Sequence, residues 1–358
     1  MNTQKYFFLV PRLYNAGGVA NYYQVVKPHL NNDIQYIYRG KKEIEKHSWL
    51  RFINDYFSFI KTIWKAPLKN LVVINTSLGQ GSIFRDGFYA WLCPGSAKKI
   101  IFFRGWDPDF QQKIDNSEFL KKWVMKTFLT ADHIIVLSSK FKEKLIQWGY
   151  KKEISIETTL VDENLVKDFD IVQKGNNTKN LLFLSAVTKS KGIMEALEAF
   201  HILTNNKSDL VFHIAGEGAA MPDIKSEIEL KKPQRVNLLG YVTGNKKAEV
   251  FQTADLFIFP SYHEGMPNAV LEAMAFGLPV ITTRVGGLPD FFEDGKMGLF
   301  LDNHSPEHIA EKIEYLLDRP ELMKQMSEYN YHYAKERFYA SKVAKRLENI
   351  IESVARES

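Results

Sequence analysis

The strongest constraint in this sequence is an alternation of short apolar runs with longer segments of helical period, which restarts near the middle of the chain. Apolar runs of this length are typical of strands buried on both faces, and helices between such strands are typical of parallel sheets. Strands are predicted at 6–10, 71–75, 99–103, 133–137, 180–185, 209–215, 236–239, 256–259 and 279–282. Helices are predicted at 20–30, 119–130, 140–148, 192–204, 246–252, 268–276, 306–317 and 341–354. The sequence therefore predicts an α/β fold with two doubly wound parallel-sheet domains.

The length of 358 residues also suits two domains better than one core. The polar, glycine-containing segment 168–180 has no period, and we expect the domain boundary there. We assign 1–172 to a first Rossmann-like domain and 173–338 to a second, with a terminal helix at 339–358 packing back on the first. Ligands of such sheets bind beyond the carboxyl ends of the strands, so we expect the active site in the cleft between the domains.

Composition excludes several other classes of protein. The hydrophobic share of 45% and the charged share of 25% are those of a soluble globular chain. Cys93 is the only cysteine, which excludes a disulfide framework and a multi-cysteine metal site. The apolar run at 6–10 is too short for a signal peptide or a bilayer span, so we expect a cytoplasmic protein.

The segment 256–300 holds the strongest functional signal. Its predicted helix is apolar on every face except at Glu272, and a buried carboxylate requires partners. Glu272 is either a structural glutamate that caps a neighbouring loop or pairs with an arginine, or a carboxylate that accepts hydrogen bonds from a polyhydroxylated ligand such as a ribose. Glu264 lies in the loop before the same helix, whose free N–H groups form an anion site. This order of groups fits a sugar, a diphosphate and a ribose.

These residues belong to a longer string of motifs that resembles the retaining glycosyltransferases of family 4, which have the GT-B fold. The string consists of Glu264-Gly265, Glu272-Ala273-Met274-Ala275, Gly277-Leu278-Pro279-Val280, Gly286-Gly287, Gly295 and Gly298. Lys191-Gly192 and the glycine-rich segment 15–19 fit the same family in register. The resemblance covers essentially the whole chain and is tightest over 180–300.

The resemblance implies a role for each of these residues. Glu272 would bind the ribose hydroxyls of a nucleotide sugar, and Glu264 would hold hydroxyls of the donor sugar. Lys191 would neutralise the β-phosphate as the glycosidic bond breaks, because the leaving diphosphate gains negative charge. The resemblance implies neither a metal nor another cofactor. The other donor-binding residues that it implies are Gly17, Gly18, Gly240, Tyr241, Gly265, Met266, Pro267 and Asn268.

Three positions depart from the family pattern. The family commonly has an arginine where this chain has Ala186, so either Lys189 takes over its role or the diphosphate is held more loosely. Met266-Pro267 replaces Phe-Gly, and proline removes one N–H from the loop. Arg104 follows the strand end where many members have a histidine. Arg104 and Asp107 are either catalytic residues, with Arg104 binding a phosphate of donor or acceptor and Asp107 orienting the acceptor hydroxyl, or a structural ion pair.

The acceptor side is less defined. Residues 1–175 have 26 Lys and Arg against 17 Asp and Glu, whereas residues 176–358 have 21 against 25. The basic first half either binds an anionic partner or only has lysines exposed to solvent. The basic segment 41–69 has an apolar stripe of helical period, which would either dock on the anionic cytoplasmic membrane face or pack on the sheet. Further acceptor-pocket candidates are Asn75, Thr76, Ser77, Arg85 and Asp86.

The sequence thus predicts a retaining transferase that moves a sugar from a nucleotide diphosphate to a hydroxyl of a glycan or lipid-linked acceptor. UDP-sugar is the first choice of donor and GDP-sugar the second, in cell-surface polysaccharide or glycoconjugate synthesis, with no nucleic-acid partner. The alternatives are a non-catalytic nucleotide-sugar-binding partner of another transferase and a sugar-nucleotide epimerase on the same fold.

Overall fold

The structure is a computed structural model of the chain. It describes residues 5–14, 17–30, 34–40, 48–65, 70–174, 179–204, 207, 209–231 and 235–356. Parts of the predicted linker 168–180, of the basic segment 41–69 and of the glycine-rich segment 15–19 lie outside these residues.

The chain divides into two compact units, residues 1–159 with 340–358, and residues 160–339. The division falls at Thr159 rather than at the polar segment around 172, because Val161 is tied to the end of the second unit. Its N–H donates to the Phe338 carbonyl at 2.8 Å, and it forms a bridge with Tyr339. The backbone contacts of an apolar residue, rather than the polarity of the following segment, therefore set the boundary.

A six-stranded parallel sheet forms the centre of the first unit, in the order β2-β1-β3-β4-β5-β6. Its strands are β1 (Tyr6–Pro11), β2 (Ile34–Arg39), β3 (Leu71–Leu78), β4 (Lys98–Trp106), β5 (His133–Val136) and β6 (Ile154–Ile156). The four strands predicted in this half are confirmed, and β2 and β6 are additional. β2 was not predicted, because it contains the exposed Gln35 and three half-buried residues instead of a continuous apolar run.

Seven helices flank this sheet in the described residues. They are α1 (Gly18–Val26), α2 (Ser48–Trp64), α3 (Gln80–Leu92), α4 (Pro108–Asp115), α5 (Glu118–Thr127), α6 (Ser139–Gln147) and the terminal α14 (Ala340–Arg356). α14 contacts α1 and β4, and its Arg346 forms a 3.0 Å ion pair with the buried Glu157 that follows β6. The terminal helix thus packs on the first sheet and is joined to it by a charge pair.

The second unit has its own parallel sheet, in the order β12-β11-β10-β7-β8-β9. Its strands are β7 (Asn180–Leu184), β8 (Val211–Ala215), β9 (Val236–Gly240), β10 (Leu256–Phe259), β11 (Val280–Thr283) and β12 (Gly298–Leu301). The helices are α7 (Glu163–Val166), α8 (Ile193–Thr204), α9 (Met221–Lys231), α10 (Gly244–Thr253), α11 (Asn268–Ala275), α12 (Pro306–Leu317) and α13 (Pro320–Arg337). Counted within the unit, the strand order is that of the Rossmann fold.

None of the helices in the described part of the chain combines the length and the hydropathy that crossing a bilayer requires.

Candidate functional site

The topology of the second sheet selects one place for a ligand. β7 lies between β8 and β10, because the chain runs outward through β8 and β9 and then returns to the other side of β7. Ligands of open α/β sheets bind at such a reversal, outside the carboxyl ends of the two strands. The loops that leave β7 and β10 here are 185–192 and 260–267, and they contain Lys191 and Glu264. Two residues singled out from the sequence therefore meet at this point.

Lys191 and Glu264 form an ion pair. The Lys191 Nζ lies 2.5 Å from Glu264 Oε1, and the two side chains are 22% and 11% exposed. Ser261 Oγ also donates to Glu264 Oε1 at 3.0 Å. The carboxylate is therefore held in one orientation by a cation and a hydroxyl, while a part of each charged group still reaches solvent.

Two glycines allow the loops around this pair to approach one another. Gly192 has φ 71°, and a Cβ there would collide with the Pro260 carbonyl. Gly286, after β11, has φ 56°, and a Cβ there would collide with the Gly265 carbonyl. Both positions require glycine for its backbone freedom and its lack of a side chain. The backbones of three loops therefore pack directly against each other around Glu264.

At the start of α11 the Val270 N–H donates to the Pro267 carbonyl at 3.1 Å, whereas the N–H groups of Asn268 and Ala269 have no partner among the described residues. The helix begins at Asn268 after Pro267, no side chain caps its first turn, and that turn contains no acidic residue. Met266 and Pro267 are buried, whereas Asn268 is exposed. The N–H groups of a first helical turn lack partners within the helix, and the helix dipole makes this end positive. The arrangement suits an anionic group, as the resemblance implies.

Glu272 lies one turn farther along α11 and is buried, with 9% of its surface exposed. Its partner is Lys247, the fourth residue of α10, whose Nζ lies 2.6 Å from each carboxylate oxygen. Burial raises the pKa of the Glu272 carboxyl, and the Lys247 ammonium group opposes that rise. Lys247 is not among the residues that the sequence indicates, because the pair is 25 residues apart and has no local pattern.

The remaining donor-side candidates lie farther from this pair of carboxylates. Lys189 is 75% exposed and forms a 2.9 Å ion pair with Asp223 of α9. Gly240 ends β9 with φ 65°, and Tyr241 is 71% exposed. β9 is separated from β7 by β8, so the Gly240–Tyr241 turn lies two strands from the reversal. In the described residues, Lys189 thus pairs with Asp223 and does not replace the arginine that the family commonly has at position 186, where this chain has alanine.

The first unit has a pocket at its own point of strand reversal, between β1 and β3, with a volume of about 170 Å³. Gly17 and Gly18 line it at the start of α1, where no side chain caps the helix and a Cβ on either glycine would meet open space. The sequence candidates that line the same pocket are Asn75, Thr76, Ser77 and Arg85. The topology therefore gathers four of the predicted acceptor-side residues into one cavity, whereas Asp86, Arg104 and Asp107 are not among the residues that line it.

The residues behind this pocket form a buried charge network. Asp86 is fully buried; Arg85 Nε lies 2.8 Å from its Oδ1, and Arg39 Nη2 lies 3.3 Å from its Oδ2. Asn75 is also fully buried, accepts from the Tyr23 hydroxyl at 3.0 Å and accepts at its carbonyl from Arg39. Asp86 and Asn75 are therefore supports for the pocket, whereas Arg85, whose side chain is 32% exposed, can reach a ligand.

Arg104 and Asp107 have separate partners. The Arg104 guanidinium lies 3.6 Å from the Tyr22 ring centroid and 4.4 Å from that of Phe102, and its Nη1 is buried without a hydrogen-bond partner. Asp107 is exposed, and its Oδ1 accepts from the N–H groups of residues 109 and 110 at 3.0 and 3.1 Å. Asp107 is thus the N-cap of α4. Among the described residues the two side chains form no ion pair with each other.

No cluster of three or more His, Cys, Asp or Glu side chains with metal-binding geometry occurs in the part of the chain that the structure describes.

The second unit is similar to known glycosyltransferases. Residues 166–333 match the family model for glycosyl transferases group 1. The chain is 30% identical over 149 residues to an alpha-D-kanosaminyltransferase from Streptomyces kanamyceticus, covering 41% of this chain and 39% of that protein. It is 25% identical over 240 residues to the capsular polysaccharide biosynthesis glycosyltransferase CapM from Staphylococcus aureus, covering 64% of this chain and 63% of that one. Both matches span less than two thirds of the relative.

The architecture has solved counterparts that cover the whole chain. Anabaena Alr3699/HepE, in complex with UDP-glucose, superimposes with a TM-score of 0.70 at 15% identity, covering 98% of this chain and 100% of that one. At this identity the likeness concerns the fold. The two parallel-sheet units are those of the GT-B fold, as the sequence motifs implied.

Proposed function

We propose that this chain is a metal-independent glycosyltransferase that moves a sugar, with retention of configuration, from a nucleotide diphosphate to a hydroxyl acceptor. The observation that carries the proposal is the arrangement at the second sheet's reversal. Two carboxylates, those of Glu264 and Glu272, lie on either side of a helix start that has no side-chain cap. Lys191 forms an ion pair with Glu264. The match of residues 166–333 to glycosyl transferases group 1 supports the same conclusion.

Each part of this arrangement has a task in the transfer. Glu272 accepts hydrogen bonds from the ribose hydroxyls, and the free N–H groups at the start of α11 bind the diphosphate. Lys191 and the helix end stabilise the negative charge that develops on the diphosphate as the bond to the sugar breaks. Glu264 accepts hydrogen bonds from the hydroxyls of the sugar and keeps the reacting carbon in position. The donor is a UDP-sugar by first choice, which the UDP-glucose complex of the Anabaena relative supports, and a GDP-sugar by second.

The acceptor side belongs to the first unit. Its pocket offers Ser77, Thr76 and Arg85, a polar lining that suits a hydroxyl-rich group, and it also includes Gly17 and Gly18, which the resemblance assigns to the donor. We place the acceptor among glycans or lipid-linked sugars of cell-surface polysaccharide or glycoconjugate synthesis. The capsular polysaccharide relative from Staphylococcus aureus supports this class.

A test of the donor site is thermal unfolding with UDP, GDP, ADP and their sugars, first without metal and then with EDTA. A ligand at 100 times its Kd adds about 2.7 kcal/mol to the unfolding free energy of the state that binds it, which is several degrees for domains of this size. We expect one base to shift the melting temperature, with EDTA leaving the shift unchanged. Slow release of free nucleotide from the matching nucleotide sugar without acceptor distinguishes an enzyme from a non-catalytic binding partner. Absence of any shift would overturn the proposal.

Contact with an anionic membrane face is a further part of the proposal. α2 packs inward through Tyr56, Phe59 and Ile63, while Ile53 and Phe57 on its outer face are 57% and 68% exposed. The helix therefore has a sheet-packing stripe and, beside it, an apolar face in solvent. Arg51, Lys61 and Lys65 lie on or directly after the same helix, and basic residues around an apolar helical face favour anionic lipid.

The membrane contact is tested by sedimentation with vesicles that contain anionic lipid. Replacing Ile53 and Phe57 by serine is expected to weaken binding about tenfold or more, since two large exposed apolar side chains no longer enter the interface. Both side chains are exposed, so the variant should fold normally. Leu230→Ser, at a residue 78% exposed in the second unit, is the control and should bind as the unaltered protein does. Equal binding of all three proteins would remove α2 from the membrane contact.

A further inference from the structure

Lys247 forms an ion pair with the carboxylate of Glu272, which in the proposed function binds the ribose. Its Nζ lies 2.6 Å from both oxygens of Glu272 and donates a hydrogen bond to Oε1, while Oε2 has no hydrogen-bond partner among the described residues. A ribose diol would donate one hydrogen bond to each of the same two oxygens. The side chains of Glu272 and Lys247 are 12% and 22% exposed, which leaves little room for both partners on that edge. Binding of the ribose therefore requires the ammonium group to move.

The position of Glu272 limits where that ammonium group can go. Glu272 is four residues from Asn268, the first residue of α11, which corresponds to about 6 Å along the helix axis. The diphosphate of the proposed donor lies at that helix start, and its first phosphate is covalently next to the ribose. A lysine has four rotatable methylene carbons and acts as a mobile point charge. The phosphate next to the ribose is thus the nearest new partner for Lys247.

Apart from Lys247, the sequence candidates in the described residues provide the donor site with only one cation for its diphosphate. Lys191 supplies one positive charge, Ala186 stands in the place of the usual arginine, and Lys189 is paired with Asp223. A diphosphate has at least two negative charges, and hydrogen bonds between charged partners are about twice as strong as neutral ones. In the part of the chain that the structure describes, Lys247 is the lysine that contacts Glu272, and its side chain thus reaches α11.

We propose, on the basis of the proposed function, that Lys247 is the second diphosphate-binding cation of this protein. In the free protein it neutralises the buried Glu272. When the ribose takes both oxygens of Glu272, the ammonium group transfers to the phosphate beside the ribose and forms a charge-assisted contact there. Lys247 would thus couple recognition of the ribose to recognition of the diphosphate, and it would compensate for Ala186.

The experiment measures the Kd of the nucleoside, the nucleoside monophosphate and the nucleoside diphosphate of the base selected by the thermal panel, at one fixed ionic strength. Lys247→Met is expected to weaken binding of both phosphorylated ligands about tenfold or more, because one hydrogen bond between charged groups is lost. Binding of the nucleoside should weaken less than about threefold. Lys246→Met removes the same charge from the exposed neighbouring residue and should change each affinity by less than about twofold.

An equal loss for nucleoside and diphosphate would overturn the proposal, because Lys247 would then act only by neutralising Glu272. Unchanged affinities in Lys247→Met would overturn it as well. If that variant does not fold, Glu272→Gln is compared with the double variant Glu272→Gln/Lys247→Met, in which no buried charge is left unpaired. The tenfold loss specific to the phosphates is expected in that pair too, and its absence would contradict the proposal. Failure of the unaltered protein to bind any of the diphosphates would instead contradict the proposed function.

Discussion

Replacing Glu272 by alanine is expected to abolish detectable nucleotide binding, with a Kd raised about 100-fold or more. Two ribose hydroxyls lose their acceptor, and each hydrogen bond to a charged group contributes about 1.5 kcal/mol or more. The measurement is the melting-temperature shift that the preferred nucleoside diphosphate produces, followed by calorimetric titration. The fold itself should persist, because the Lys247 side chain is 22% exposed and its ammonium group can turn to water.

The matched control for this variant is Glu249→Ala. Glu249 lies on α10, as Lys247 does, but is exposed, so its removal should leave nucleotide binding unchanged. A Glu272→Ala protein that binds the nucleotide with normal affinity but unfolds at a lower temperature would make Glu272 a structural residue. That result would revive the alternative that the sequence leaves open, in which the carboxylate serves only to pair with a cation.

The strands at the centre of each sheet could be predicted, whereas several peripheral elements could not. β10 (256–259) and α12 (306–317) lie at the predicted bounds, because a strand buried on both faces and an amphipathic helix with Ser305 as its cap have strong local patterns. β6 has only three residues, of which one is buried, and β12 begins with a glycine and is not buried throughout, so neither has the pattern of a buried apolar run. α3 includes Gly81 and Gly87, which lower its helical propensity, so tertiary packing decides its conformation.

The candidate site shows the same limit. Glu264 and Glu272 could be named because they belong to one local string of motifs, and the reversal between β7 and β10 then places Glu264 beside Lys191. Lys247 and Arg39 could not be predicted as site residues, because each contacts a partner that lies 25 or more residues away in the sequence. The capping role of Asp107 could have been predicted, because an aspartate followed by proline is a signal for a helix start.

Replacing Lys191 by methionine is expected to lower kcat about 10²- to 10³-fold, the effect of removing one preorganised group that stabilises developing charge. The charge on the departing diphosphate grows only as the bond to the sugar breaks, so the loss falls on kcat more than on KM. Release of free nucleoside diphosphate from the nucleotide sugar, measured without acceptor, gives both constants. Lys189→Met is the matched control, because this neighbouring lysine is 75% exposed and paired with Asp223, and its removal should change kcat less than about threefold.

The ion pair with Glu264 offers another explanation for a slow Lys191→Met protein, namely that the carboxylate loses its orientation. Ser261 still donates to Glu264 Oε1 at 3.0 Å in that variant, so part of the orientation remains. The comparison of Lys191→Met, Glu264→Gln and the double variant separates the two effects. If Lys191 acts on the phosphate, its removal slows the Glu264→Gln protein further. If it acts only by holding Glu264, the double variant is no slower than Glu264→Gln alone, and the direct role of Lys191 at the leaving group is wrong.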